Sequence, residues 1–225
     1  MAATTLLAGD MGGTKTLLAL YGVENQTLIP LHQQKFISSE WTSLVPMLET
    51  FLSKRPSNLD PPVHGCIAVA GPVRDRKARI TNLPWHLCED ELANAASMQR
   101  LELVNDFGVL IYGLPHFAAD QQVVLQQGRT DDGPLAILGA GTGLGMARGV
   151  QTSQGLIALP SEGGHREFAP RTEEEWQLAS WMKKDLGLER LSLERVVSGT
   201  GLGHIAHWLL QKSDAELHPL RKIQL

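Results

Sequence analysis

The stretch ILGAGTGLGMARGV, residues 137–150, places glycine at every second position, at Gly139, Gly141, Gly143 and Gly145. Backbone cleared of side chains at this density lets a ligand approach closely, and phosphate is the usual visitor. A second stretch of the same kind, LLAGDMGGTKTLLALYG, spans residues 6–22. In both, an apolar run enters a glycine turn that has threonine beside glycine, and a second strand-like run leaves it. Gly9 then corresponds to Gly139. A P-loop would need Gly-Lys-Ser/Thr opening a helix; Lys15 precedes Thr16, but the required upstream glycine spacing is missing. A dinucleotide turn would need G-x-G-x-x-G followed by a helix, whereas MARGVQT reads as strand. Both turns are therefore read as hairpin tips. Two unrelated glycine hairpins are the plain alternative; a pair of tips that clamp a polyphosphate from opposite sides with backbone N–H groups is the functional one.

Outward from these hairpins, QQKFIS reads as a third strand and SLVPMLETFLSK as a helix, with Ser43 at its N-cap and Pro46 near its first turn. HGCIAVAGPV is a buried strand ended by Gly-Pro. EDELANAAS is a short helix, RLELVNDF a strand running into a polar turn, and GLIALP a strand. TEEEWQLASWMKKDLG is the clearest helix. Thr172 caps it, Glu173 to Glu175 sit at its positive end, Lys183 and Lys184 at its negative end, and Gly187 lies just past it. GLGHIAHWLLQK is a final helix. The weakest seam lies between Leu110 and Asp132, which suggests lobes at 1–110 and 111–225.

With 225 residues, 43% of them hydrophobic, and a net charge of −4, the chain suits one large or two modest globular domains. Charges are scattered and no basic tract exists, so nucleic acid and anionic membrane are poor partners. No run reaches the length of a membrane span, and MAATTLLAGD lacks the basic start and long apolar core of a signal peptide. A cytoplasmic protein is expected. Two cysteines, Cys66 and Cys88, exclude a disulfide framework or a four-cysteine zinc site and read as reduced thiols.

Paired phosphate hairpins resemble those of the sugar kinase, heat-shock protein and actin superfamily. More closely, GDMGGTKT, TNLPW, LVNDF, GAGTGLG, LPSEGGH and ERVVSGTG occur in the order found in bacterial-type ATP-dependent glucokinases. The resemblance covers residue 5 to about residue 212. It implies a two-lobed α/β fold of the actin-like (ribonuclease H-like) class. It also implies transfer of the γ-phosphoryl of ATP to the 6-hydroxyl of glucose, giving glucose 6-phosphate at the entry to glycolysis. Such transfer is mostly positioning and charge stabilisation.

By the same resemblance, Asp106 in LVNDF is the catalytic base; an Asx turn at a strand end is its structural alternative. Asn105, Glu162, His165 and Glu194 become sugar ligands with Asp106, and Asn82 lines the cleft. Trp85 beside it reads equally as core. For Glu194 the competing reading is a solvated charge in the first turn of a helix capped by Ser192. The two glycines of SEGGH let the chain turn tightly. Asp10 holds Mg²⁺ through water, as suits an ion that keeps several waters. Gly9, Gly12, Gly13 and Thr14 embrace the phosphates from one lobe, and Gly139, Gly141, Thr142 and Gly143 from the other. His204 and His207 lie three apart on a helix without a third ligand and read as packing or surface residues. A homodimer is a further implication.

Related ROK kinases carry a cysteine-rich zinc motif after GH; GGHREFAPRT has none. The phosphate turn beginning at Gly9 leaves no room for the N-terminal DNA-binding domain of ROK repressors. Family members continue well past the point where this chain ends in QKSDAELHPLRKIQL. The resemblance therefore implies an incomplete second lobe without the adenosine-binding turn. Exposed apolar surface at LAILGAG and along GLGHIAHWLL, self-association, weak ATP binding and little turnover are the expectations. The rival readings are a glucose-binding protein without turnover, and a kinase for another donor or sugar such as polyphosphate, mannose or an N-acetyl sugar. An actin-like structural ATPase leaves SEGGH and LVNDF nothing to bind.

Overall fold

A computed structural model describes residues 4–25, 27–80, 83–129 and 133–212. Its contacts divide the chain into two units, Met1–Val109 and Leu110–Leu225.

In the first unit, β1 (Thr5–Met11), β2 (Lys15–Glu24), β3 (Thr27–Ile37), β4 (His64–Val69) and β8 (Arg100–Asn105) form one sheet in the order β3-β2-β1-β4-β8. β1, β2 and β3 are antiparallel neighbours, while β4 and β8 join in parallel. The apolar run of β1 fits this central place, with a neighbouring strand on either side and Leu7 and Met11 buried. The third strand is longer than QQKFIS. It runs back to Thr27 on the sheet edge, where Pro30 costs no ladder bond, and a bulge absorbs Leu31 between Leu20 and Tyr21.

The helix α1 (Leu44–Ser53) buries Leu44, Met47, Leu48 and Phe51, the i, i+3, i+4, i+7 stripe that its sequence displays. Ser43 stands at its N-cap in extended conformation but makes no side-chain cap bond. The short helix α2 (Glu89–Ala95) adds Leu92 and Ala93 to the same core, together with Leu18, Leu20, Ile67, Val69 and Leu101. Trp85 is buried there too. Between β4 and α2, the small antiparallel strands β5 (Val73–Arg74), β6 (Lys77–Arg79) and β7 (His86–Cys88) form a separate three-stranded sheet.

LVNDF does not end in a turn. Asp106 opens α3 (Asp106–Gly113), and the division between units falls inside this helix.

In the second unit, β9 (Leu135–Ala140), β10 (Leu144–Thr152) and β11 (Gly155–Ser161) make an antiparallel sheet in the order β11-β10-β9. Ile111 of α3 lies where a Gly149 side chain would be, and the Tyr112 hydroxyl accepts from Ala158 N at 3.2 Å. The helices α4 (Glu173–Asp185) and α5 (Gly199–Lys212) share a core of Leu178, Met182, Leu191 and Trp208. Thr172 Oγ1 accepts from Glu175 N at 3.2 Å, and Gly187 takes a positive φ of 63° just past α4. This helix is bounded as its sequence dictates.

Candidate active site

Both glycine turns are hairpin tips. In the first, the β1–β2 ladder ends at the pair Met11 and Thr16, and Gly12 N donates to Lys15 O at 2.9 Å. A buried residue with no motif around it supports the tip from behind. Ser38 Oγ donates to Gly12 O at 3.0 Å, Ser38 N donates to Thr14 O at 3.0 Å, and its hydroxyl meets Thr16 Oγ1 at 3.0 Å. Ser38 is fully buried after the long edge strand, where only the tertiary pairing could have identified it. Gly9 lies two residues inside β1. A side chain there would meet Ile67 and Leu18 within 3.1 Å, so this glycine serves strand packing. Asp10 beside it is exposed, and a lone exposed carboxylate next to a phosphate turn fits a water-shelled Mg²⁺.

The second tip spans Gly141–Gly143, closed by Gly141 N donating to Gly143 O at 3.0 Å. The ladder behind it pairs Gly139 with Gly145. The start of α5 holds the loop: Gly199 N donates to Gly141 O at 2.8 Å, and Thr200 Oγ1 donates to Thr142 O at 3.1 Å. Gly141 itself has open space where a Cβ would sit.

Asn105 and Asp106 form the joint between β8 and α3. Asn105 Oδ1 accepts from Phe107 N at 3.1 Å and Gly108 N at 2.9 Å, which caps the helix. Its amide donates to Gly71 O and to Asp106 Oδ1, both at 3.0 Å. Asp106 Oδ1 also accepts from Phe107 N at 3.0 Å. Asn105 thus spends its side chain on orienting the aspartate. β8 is itself fixed by buried Glu89, whose Oε1 accepts from Leu103 N at 2.9 Å while Oε2 accepts from Arg76 at 2.9 Å. That carboxylate holds the Arg76 guanidinium protonated to still higher pH than usual.

Two segments, SEGGH and the turn that holds Glu194, meet around His165. Nδ1 lies 3.1 Å from Glu162 Oε2, and Nε2 lies 3.4 Å from Glu194 Oε1. Glu194 is no solvated charge on a capped helix. It stands in a 3₁₀ turn, Leu193–Arg195, with three quarters of its side chain buried, and Ser192 makes no cap bond. Its Oε2 occupies the position 2.7 Å from where a Gly143 Cβ would be, so the cluster abuts the second glycine turn. Backbone bonds hold the loops together: Leu193 N to Arg166 O and Phe168 N to Leu191 O, both 2.8 Å. Arg190 adds a bond to His165 O at 2.7 Å. The glycines of SEGGH act through space, not through φ. A Cβ on Gly164 would collide with Leu144 O, one on Gly163 would lie 2.7 Å from Met146 Sδ, and neither glycine has a positive φ.

Asn82 lies outside the described residues. His204 is buried, and His207 stacks edge-on against Trp181 with centroids 5.6 Å apart. Among the described residues, no helix is long and apolar enough to cross a membrane.

A mixed sheet bearing one glycine hairpin, and an antiparallel sheet bearing another, define the actin-like ATPase class of α/β proteins. The comparisons with known proteins agree. A family model for glucokinase matches residues 7–224, and the chain belongs to that family. A glucokinase of Synechocystis sp. is 41% identical over 213 residues, covering 90% of this chain and 60% of that protein. The chain therefore spans about three fifths of the length of this relative. A glucokinase crystal structure from an Antarctic psychrotroph superposes with a TM-score of 0.78 at 32% identity, over 95% of this chain and 67% of that one. The fold is shared with the Balamuthia mandrillaris glucokinase, solved in complex with glucose, at a TM-score of 0.72 and 23% identity, over 98% of this chain and 66% of that one.

Proposed function

We propose that this protein transfers the γ-phosphoryl of ATP to the 6-hydroxyl of glucose. The observation that carries the reading is the Glu162–His165–Glu194 cluster, gathered from separate segments and set against Gly143. Carboxylates accept from sugar hydroxyls, and the imidazole offers a donor or an acceptor, which is the mixed set a hexose requires. Membership of the glucokinase family supports the same substrate. Asn105 acts as a positioning residue because its amide is engaged with Gly71 and Asp106.

In the proposed reaction Asp106 accepts the proton of the glucose 6-hydroxyl. The freed oxygen forms the new bond to the γ-phosphorus as the bond to the β-phosphate oxygen breaks, leaving ADP. Gly13 and Thr14 on one hairpin, and Thr142 and Gly143 on the other, donate backbone N–H groups to phosphate oxygens, while the N–H groups of Gly12 and Gly141 close the two tips and their missing side chains let the phosphates approach. Asp10 would hold Mg²⁺ through water, and the ion would supply charge neutralisation at the phosphates. Homodimer formation and a cytoplasmic location belong to the same proposal, and sedimentation and cell fractionation test them.

The test of chemistry is Asp106→Asn. The amide keeps the shape but accepts no proton, so turnover in a coupled assay with glucose and ATP falls by roughly 100-fold to 10,000-fold. Glucose affinity by calorimetry stays within about twofold, because only the proton acceptor has been removed. Undiminished turnover removes Asp106 from the reaction.

A further inference from the structure

We propose that the outer face of the β5–β6–β7 sheet is a binding site for a small phosphate-bearing anion, distinct from either glycine hairpin. The inference does not rest on the glucokinase reading.

A groove of about 450 Å³ lies on this face, lined by Arg74, Lys77, Arg79, His86, Cys88 and Glu91, among others. Strand alternation puts Ala78 and Leu87 inward and these polar side chains outward. The register then opposes one pair of like charges and sets a further arginine against a histidine. Arg74 pairs directly across from Lys77, and Arg79 across from His86. Like charges at directly opposed sheet positions destabilise the pairing unless something neutralises them.

No described residue does so. Among the described residues, Arg74, Lys77 and Arg79 enter no ion pair. The nearby acids are engaged with a different arginine: Glu89 and Asp90 both bind Arg76, at 2.9 Å and 2.7 Å. Glu91 is the only carboxylate in the lining, and Asp75, at the hairpin tip, is not part of it. This local excess of positive charge occurs in a chain whose net charge is −4.

The groove is also held in shape. The β5–β6 turn places Asp75 and Arg76 at positive φ, 49° and 63°, unfavourable for both side chains. The Arg76 ion pairs and the bond from Glu89 N to Arg76 O, 3.1 Å, fix that turn against α2. Guanidinium groups with ammonium on a rigid concave face suit a compact multivalent phosphate, which takes bidentate donors from arginine. The volume is within the usual range for small-molecule sites, about 300–1,000 Å³.

Cys88 lines the groove and Cys66, on β4, does not, so the two thiols report on the site and on a control position in one sample. The experiment is alkylation of the whole chain by N-ethylmaleimide, mapped by peptide mass, with and without pyrophosphate at ionic strength matched by sodium chloride. Expected is selective slowing at Cys88, about tenfold when pyrophosphate is about ten times its dissociation constant. Inorganic phosphate, glucose 6-phosphate and ADP, run as separate arms, distinguish a free phosphate from a sugar or nucleotide source. Arg74→Gln/Arg79→Gln abolishes the protection, and Lys77→Gln alone weakens it; these positions are exposed, so the melting temperature stays as in the parent. Equal reactivity of Cys88 with and without every phosphate arm overturns the proposal, as does protection that persists in both variants. Because the readout is at Cys88 and not in turnover, its failure leaves the kinase reading untouched.

Discussion

At the scale of single residues, Asn105 and Asp106 divide one job. The sequence points to Asp106 as the proposed base because LVNDF stands among five other motifs. The division of labour was not legible, since it depends on Gly71 O arriving from 34 residues upstream. The structure makes the asparagine both a helix cap and a hydrogen-bond partner of the carboxylate, so the local capping geometry leaves room for the proposed role of Asp106. Two substitutions separate these roles. Asn105→Ala loses the cap and the guide, and should lower stability by about 1 kcal/mol along with turnover. Asn105→Asp keeps a capping oxygen but places a second carboxylate where the amide donated to Asp106. It should melt near the parent temperature yet lose more than about tenfold in kcat, because the aspartate is misaligned and repelled. Chemical denaturation and steady-state kinetics on both variants decide; equal kinetics for Asn105→Asp and the parent would remove the guiding role.

Among the elements, the two glycine hairpins look alike in sequence but use their glycines for different ends. Gly9 is glycine because Ile67 and Leu18 leave no room, and Gly164 because Leu144 O passes too close. Gly141, at the tip, has open space around its missing side chain. The paired-hairpin pattern was readable because apolar runs flank each turn at strand length. What backs each tip was not: Ser38 carries no motif of its own, and Thr200, though it lies within ERVVSGTG, shows nothing in the sequence that ties it to the distant Thr142. Glu194 was singled out by its motif, but its contact with His165 was not readable, because it needs the 3₁₀ turn that its neighbours form. The contrast gives a paired expectation. Gly164→Ala should destabilise the chain by about 1–3 kcal/mol, since backbone cannot yield to a new methyl. Gly141→Ala should leave the melting temperature within a degree or so, because nothing in the protein fills that space. If the tip receives phosphate, Gly141→Ala nevertheless weakens ATP binding several-fold, by holding the phosphate off the backbone donors. Thermal melting and nucleotide titration of the two variants check this, and unchanged ATP affinity in Gly141→Ala would detach that tip from nucleotide binding.

For the whole molecule, the distribution of apolar surface matters most. The first unit closes its core around α1 and β1, with Met11, Leu18, Met47 and Phe51 fully buried. In the second unit the described residues leave large side chains in solvent. Leu138 on β9 is 66% exposed and Leu202 on α5 is 69% exposed, and Leu159, Ile157 and Leu209 are about half exposed. Leu138, Leu202 and Leu209 belong to the strand and helix LAILGAG and GLGHIAHWLL, whose sequences carry more apolar residues than a solvated surface needs, while Ile157 and Leu159 lie on the neighbouring β11. Scattered exposed leucines are ordinary, but several on the elements of one unit favour association in water. At about 25 cal/mol per Å² of apolar area removed from water, even modest contacts between such surfaces add up to several kcal/mol before the entropy of association is counted. Self-association at micromolar concentration is therefore expected, and a charge on both β9 and α5 should oppose it. In Leu138→Lys/Leu202→Lys each side chain already faces solvent, so the fold should tolerate both while the apparent mass falls toward that of one chain. Light scattering across a concentration series, with far-ultraviolet circular dichroism to establish that the variant is folded, makes the comparison. A parent that is monomeric at every concentration, or a folded variant that associates as the parent does, would place the association elsewhere.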